Sequence, residues 1–226
     1  MDLNILILGP SGSGKGTQGA VIQKRFRIQH VETGVIFRDN IKRDTELGKK
    51  SKEYIDMGEL VPDDITIPMI LSRLKEADCI SGWLLDGFPR NLVQAAALWE
   101  VLQKEGIKLD YVIEIVLDKD ISKKRIMGRR FCAIDNNHPN NIYFDAIKPK
   151  EKNGKPVCHI CGCESLTIRA EDQDEVAIDK RHSIYYDNEK GTIAAINYFE
   201  TKVKVVRVES HTGFKETSEN LMKMLS

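Results

Sequence analysis

Hydrophobic residues in this chain fall into short unbroken runs separated by longer amphipathic stretches. Leu3 to Leu8 and Gly82 to Leu85 read as buried strands, as does Tyr111 to Leu117 around its single acid Glu114, and Val203 to Val208, with Lys204 and Arg207 among its valines, reads as the last strand. Ile28 to Val31 is a shorter candidate. Between them apolar residues recur at helical spacing: Gln18 to Phe26, Val35 to Asp44, Lys49 to Met57 with Gly58 as stop, Gln94 to Gln103, Ile121 to Arg130 and Ser218 to Leu225. Ile65 to Glu76 is a further helix, with Asp63-Asp64 as cap and Pro68 in its first turn. Strands alternating with helices predict an α/β fold, a doubly wound parallel sheet of five strands. Two stretches break the alternation, residues 32–61 and 131–172. Neither holds a strand suited to the central sheet, so they read as insertions over the active face. Residues 1–31, 62–130 and 173–226 remain as core.

Composition narrows the field. The 226 residues carry 34 Lys+Arg and 34 Asp+Glu, a formal charge of zero, so no global field favours nucleic acid or anionic membranes. Leu3 to Gly9 is too short to span a bilayer and no leader pattern precedes it, which points to a cytoplasmic protein without a membrane partner. No internal repeat is evident.

The first apolar run leads into Gly9-Pro10-Ser11-Gly12-Ser13-Gly14-Lys15-Gly16-Thr17. A strand, a glycine-rich turn and a helix start let backbone N–H groups face a phosphate, and Lys15 adds a full charge for the β- and γ-phosphates. Nucleoside triphosphate binding follows. Gly16 stands where the general motif has Ser or Thr for magnesium, with Thr17 one place later. Farther on, the run ending at Asp86 is followed by Gly87-Phe88-Pro89-Arg90. Carboxyl ends of parallel strands converge on the ligand crevice, so Asp86 should sit beside the phosphate loop, where magnesium or its waters need a hard oxygen.

These motifs, in this order, resemble the adenylate kinases among the nucleoside monophosphate kinases. The resemblance spans nearly the whole chain. It implies a monomer catalysing reversible magnesium-dependent phosphoryl transfer from ATP to AMP, giving two ADP. Residues 32–61 would be the AMP-binding insertion and 131–172 a lid over ATP. It implies ATP contacts from Gly12, Ser13, Gly14, Lys15, Gly16, Thr17, Arg125, Arg129, Tyr143 and Ser210, in a segment reaching Gly213. For AMP it implies Thr33, Gly34, Arg38, Glu59, Val61, Gly87, Arg90, Gln94, Arg169 and Arg181, with Gln94 reading the adenine. The catalytic set is Lys15, Arg90, Arg125, Arg129, Arg169 and Arg181. The chemistry agrees: transfer between two nucleotides needs guanidinium groups around one crevice and no general base. Val35 follows Thr33-Gly34 where many relatives carry Asp. Kinases of the same fold acting on UMP, CMP or GMP, and a phosphate-loop protein whose knuckle binds nucleic acid, are the rival readings.

Of five cysteines, Cys132, Cys158, Cys161 and Cys163 crowd into one interval that also holds His138. Such clustering points to metal rather than a disulfide framework. Cys132, His138, Cys158 and Cys161 make a closed Cys₃His tetrahedral set, with Cys163 as the competing thiol. A short insertion has little core of its own, so a structural metal, zinc by default with iron or cobalt open, would hold it together.

Overall fold

The computed structural model describes residues 3–210 and 213–225. Its strands in chain order are β1 (Leu3–Leu8), β2 (Gln29–Glu32), β3 (Gly82–Asp86), β4 (Tyr111–Val116), β5 (Phe131–Cys132), β6 (Lys150–Lys152), β7 (Lys155–Val157), β8 (Leu166–Thr167) and β9 (Lys204–Glu209). The helices are α1 (Lys15–Phe26), α2 (Thr33–Lys42), α3 (Glu46–Asp56), α4 (Asp63–Leu74), α5 (Leu92–Glu105), α6 (Lys119–Gly128), α7 (Glu175–Tyr186), α8 (Thr192–Glu200) and α9 (Phe214–Met224).

Five strands form one parallel sheet in the order β2-β3-β1-β4-β9. Both faces are covered at the centre of the sheet, so β1 and β3 are buried nearly throughout, whereas the edge strand β9 alternates buried valines with exposed Lys204, Arg207 and Glu209. Leu6, Leu8, Trp83, Leu85 and Val112 pack on one side with Ile70 of α4, Leu98 of α5 and Phe199 of α8. Ile5, Ile7, Leu84, Ile113 and Val206 pack on the other with Ile22 of α1 and Leu221 of α9. The expected doubly wound five-stranded fold is the observed one. Strands β5–β8 pair only within two small antiparallel sheets, outside the central one. Among the described residues no helix is long and apolar enough to cross a membrane.

Several element bounds differ from the expectation. Helix α1 begins at Lys15 rather than Gln18, because Gly14 in the left-handed region (φ 94°) turns the chain directly into it. Asp63 and Asp64 are not caps: Pro62 precedes the helix and both acids lie in its first turn, favoured there by the helix dipole. Pro68 therefore falls in the second turn, not the first. Helices α7 and α8 were not anticipated. The buried side of α7 includes His182 and Tyr185 and reads as polar, whereas α8 is apolar on most sides and shows no period.

The close crossing of α2 and α3 rests on Gly48. A Cβ there would collide with the backbone of Asn40 and Ile41, while Thr45 caps α3 by accepting from the Gly48 N–H at 3.1 Å. Helix propensity alone would make Gly48→Ala stabilising by about 1 kcal/mol. The collision reverses the sign, and we expect a loss of about 1–3 kcal/mol in urea unfolding. Unchanged or raised stability would show that the two helices do not approach this closely.

Candidate functional site

The loop between β1 and α1 is held from three sides. Lys15 Nζ donates to the carbonyls of Gly9 (2.7 Å) and Pro10 (2.9 Å). Ser122 Oγ donates to Ser11 O at 2.6 Å, and Ser210 Oγ to Ser13 O at 2.8 Å. Since the Ser122 proton is so used, His182 Nε2, 2.8 Å from Ser122 Oγ, must be the donor in that pair. Arg125 Nη1 donates to Ser210 Oγ at 2.9 Å, tying α6 to the same loop. Gly12 is in the left-handed region (φ 79°) and a Cβ there would press on Ser122 O and Arg125 Cβ. At Gly16, where the general motif places Ser or Thr, a Cβ would displace the Asn137 side-chain amide. Thr17 Oγ1 donates to Asn137 O at 3.1 Å.

A cleft of about 340 Å³ opens in front of this loop. It is lined by every residue assigned above to the two nucleotides except Tyr143. Tyr143 is half exposed and lies outside it. Its N–H is taken by Asn141 Oδ1 at 3.0 Å, and the next residue, Phe144, lines the cleft instead with Arg125 over its ring at 5.4 Å. Ser210 and Gly213 line the cleft; the intervening His211 and Thr212 lie outside the described residues.

Arginines reach the cleft from separate elements: Arg38 from α2, Arg90 after β3, Arg125 from α6, Arg129 and Arg169 flanking the small sheets, and Arg181 from α7. Asp172 is wholly buried and orients two of them, accepting from Arg129 at 2.8 Å and Arg181 at 3.0 Å. Burial raises its pKa, but those two guanidiniums outweigh it and hold the carboxyl below its usual range. Arg169 lies 3.5 Å over the Phe131 ring and donates to Asn136 Oδ1 at 2.9 Å. Burial, then Arg38 and Arg129, lower its pKa to about 9. Lys15 falls to about 8, chiefly by burial, with Asp86 opposing and Arg90 and Arg129 reinforcing the shift.

Strand pairing sets Glu32 of β2 beside Asp86 of β3. With His30 they bring two carboxylates and an imidazole within 4.8 Å of one another. His30 Nε2 is 3.4 Å from Asp86 Oδ2, an ion-pair separation that closes no regular hydrogen bond. Burial lowers the His30 pKa, but Asp86, with Glu32 and Asp135, leaves it raised. Glu32, Asn136 and Asn137 were not singled out from the sequence, and Asp63 was read only as a helix cap. Each acts through a partner distant in the chain: Asn137 Nδ2 donates to Glu32 Oε1 at 2.9 Å, and Gln94 Nε2 to Asp63 Oδ1 at 2.6 Å. Glu59, on the cleft wall, is 3.4 Å from Lys180.

Cys132, His138, Cys158 and Cys161 bring their ligand atoms within 4.8 Å of one another. Cys132 and Cys161 sulfurs are 3.5 Å apart, as are Cys158 Sγ and His138 Nδ1. A tetrahedral zinc with bonds of roughly 2.0–2.3 Å separates its ligand atoms by roughly 3.5–3.8 Å, so the set fits. Burial raises the Cys158 thiol, but the N–H groups of Cys161 and Ile160 and the Asn140 amide outweigh it and lower the pKa to about 6. Cys163 instead pairs with Ser165, and His159 Nδ1 lies 3.0 Å from Lys148 O.

Two outcomes follow from this geometry. A polyphosphate beside Lys15 favours its charged form, so between about pH 8 and the ordinary 10.5 binding should take up a proton. Titration calorimetry with ATP at about pH 9, in buffers of different ionisation enthalpy, should show net uptake. No buffer dependence would mean that Lys15 is already charged. Separately, Cys161→Ser should lose or weaken one bound metal per chain by elemental analysis, whereas Cys163→Ser should keep it. The reverse would transfer the ligand role to Cys163.

The family model described as Adenylate kinase matches residues 7–204. An Adenylate kinase of Desulfotalea psychrophila is 60% identical over 227 residues, covering 100% of both chains. Those of Desulfosudis oleivorans and Nitratidesulfovibrio vulgaris (strain Miyazaki F) are each 56% identical over 229 residues, covering 99% of this chain and 100% of theirs. Matched by that family model from residue 7 to residue 204 and by these relatives over 99–100% of its length, the chain belongs to the adenylate kinase family.

Proposed function

We propose that the chain catalyses reversible phosphoryl transfer from ATP to AMP, giving two ADP. The observation that carries this is the convergence of Arg38, Arg90, Arg125, Arg129, Arg169 and Arg181 opposite Lys15 in one cleft. That arrangement suits a reaction in which both substrates bring phosphates and charge develops between them.

ATP binds with its phosphates on the Gly12–Thr17 loop and its base toward Arg125, Phe144 and Ser210. Lys15 and the α1 N-terminus draw charge from the β- and γ-phosphates. AMP binds along Thr33, Gly34, Arg38, Glu59, Val61 and Gly87, its adenine facing Gln94 and its phosphate between Arg38, Arg90 and Arg169. Arg129 and Arg181, held by Asp172, neutralise the group in flight. The acceptor is already a phosphate oxygen, so no side chain has to remove a proton. Asp86 would hold magnesium carried by the triphosphate, directly or through its waters, and the ion would supply positive charge against the phosphates.

Residues 32–61 act as the acceptor-binding insertion and 131–172 as a lid that excludes water from the transferring group. Asn137, against Thr17 and Glu32, is one of the places where residues 131–172 meet the core, as are Asn141 against Arg125 and Asp172 against Arg181. The lid's Cys132, His138, Cys158 and Cys161 would hold a structural zinc, since a filled tetrahedral shell leaves no position for chemistry. The protein acts as a cytoplasmic monomer.

A coupled assay of ADP formation should show activity with AMP well above UMP, CMP or GMP. Lys15→Ala should lower kcat by at least about a hundredfold, with an unchanged far-UV spectrum. A loss of tenfold or less would place the chemistry elsewhere.

A further inference from the structure

We propose that Asp63, together with the Arg90 backbone N–H, sets the purine selectivity of the acceptor site by fixing which way round the Gln94 amide points. The inference rests on the reading that Gln94 faces the acceptor base. Gln94 is almost wholly buried and lines the cleft, so its amide cannot reorient through solvent. One end is set by the backbone: Arg90 N–H donates to Gln94 Oε1 at 2.8 Å. The other end is set by Asp63, whose Oδ1 accepts from Gln94 Nε2 at 2.6 Å. A backbone N–H can only donate and a carboxylate accepts, so these two partners admit one amide orientation.

Asp63 is itself held. Asn91 Nδ2 lies 3.1 Å and 3.2 Å from its two oxygens, and Asn91 Oδ1 accepts from the Gln94 N–H at 2.7 Å. The first turn of α4 and the start of α5 are thereby locked together around one glutamine amide.

Orientation matters because it decides between purines. After its two protein partners, the Gln94 amide has one N–H and one oxygen lone pair left. Adenine presents a 6-amino donor beside the N1 acceptor. Guanine and hypoxanthine present the opposite order, an O6 acceptor beside an N1–H donor. An amide free to flip could pair with either. An amide fixed by Asp63 and the Arg90 N–H pairs with one order and sets donor against donor and acceptor against acceptor in the other. Asp63 touches no substrate in this scheme; it is a positioning residue.

IMP is the probe, because it inverts the pairing edge without adding the 2-amino group of GMP. The wild-type chain should favour AMP over IMP in kcat/KM. Asp63→Ala leaves the Arg90 N–H as the one remaining constraint on the amide, and should cut that preference by about tenfold, mainly through KM for the monophosphate, with KM for ATP unchanged. In a Gln94→Ala background the same substitution should leave the preference as it was, because no amide remains to be oriented. Should Asp63→Ala fail to fold, Asp63→Leu keeps the volume without an acceptor oxygen, and should shift the preference in the same direction. An unchanged AMP-to-IMP preference, with both activities falling together, would reduce Asp63 to a structural residue and overturn the inference. So would an equal shift in the Gln94→Ala background. A wild-type chain that phosphorylates neither acceptor would instead overturn the reading beneath it.

Discussion

Burial and one another's charge loosen the hold of Arg38, Arg90 and Arg169 on their protons, and Lys15 in the same cleft is lowered likewise, to about 8. Cations gathered this closely in partly buried positions repel one another unless anions are near. Asp86 and Asp172, with Glu32 and Glu171, supply part of that compensation. The remainder suits phosphate, and two nucleotides bring several. The fold can be understood as the means of holding those cations in place.

Each part of the architecture bears on that task. The parallel sheet brings the carboxyl ends of β1, β2 and β3 together, which is why the phosphate loop, Glu32 and Asp86 share one edge. Asp172 fixes Arg129 and Arg181 through charge-assisted bonds. Removing it would leave two guanidiniums without their partner, a larger penalty than the pair's net contribution. Ser122 and Ser210 brace the loop from α6 and from beyond β9. The Cys/His cluster anchors the segment that carries Asn136 and Asn137, so the shape of the cleft mouth depends on a site outside the chemistry.

Much of this was legible in the sequence because it is local. Gly9–Thr17 and Asp86–Arg90 are contiguous motifs whose chemistry follows from their own spacing, and the crowding of four cysteines needs no fold to be noticed. Side chains that act through distant partners were not. Asp63 meets Gln94 only when α4 packs beside α5, and Glu32 meets Asn137 only when residues far apart in the chain fold onto each other. Tyr143 and Phe144 are adjacent aromatics, and the turn made by Asn141 decides which one faces inward. Helix α8 escaped notice for a different reason: a short apolar segment on most sides carries no period to distinguish it from a strand.

The central claim is that one cleft holds both nucleotides at once, with the arginines between them. The most direct measurement is calorimetric titration with two adenosines joined through a chain of phosphates. The account predicts one molecule bound per chain, far more tightly than ATP or AMP alone, and displacement of both nucleotides together. Two molecules bound per chain, or continued binding of AMP in the saturated complex, would contradict it.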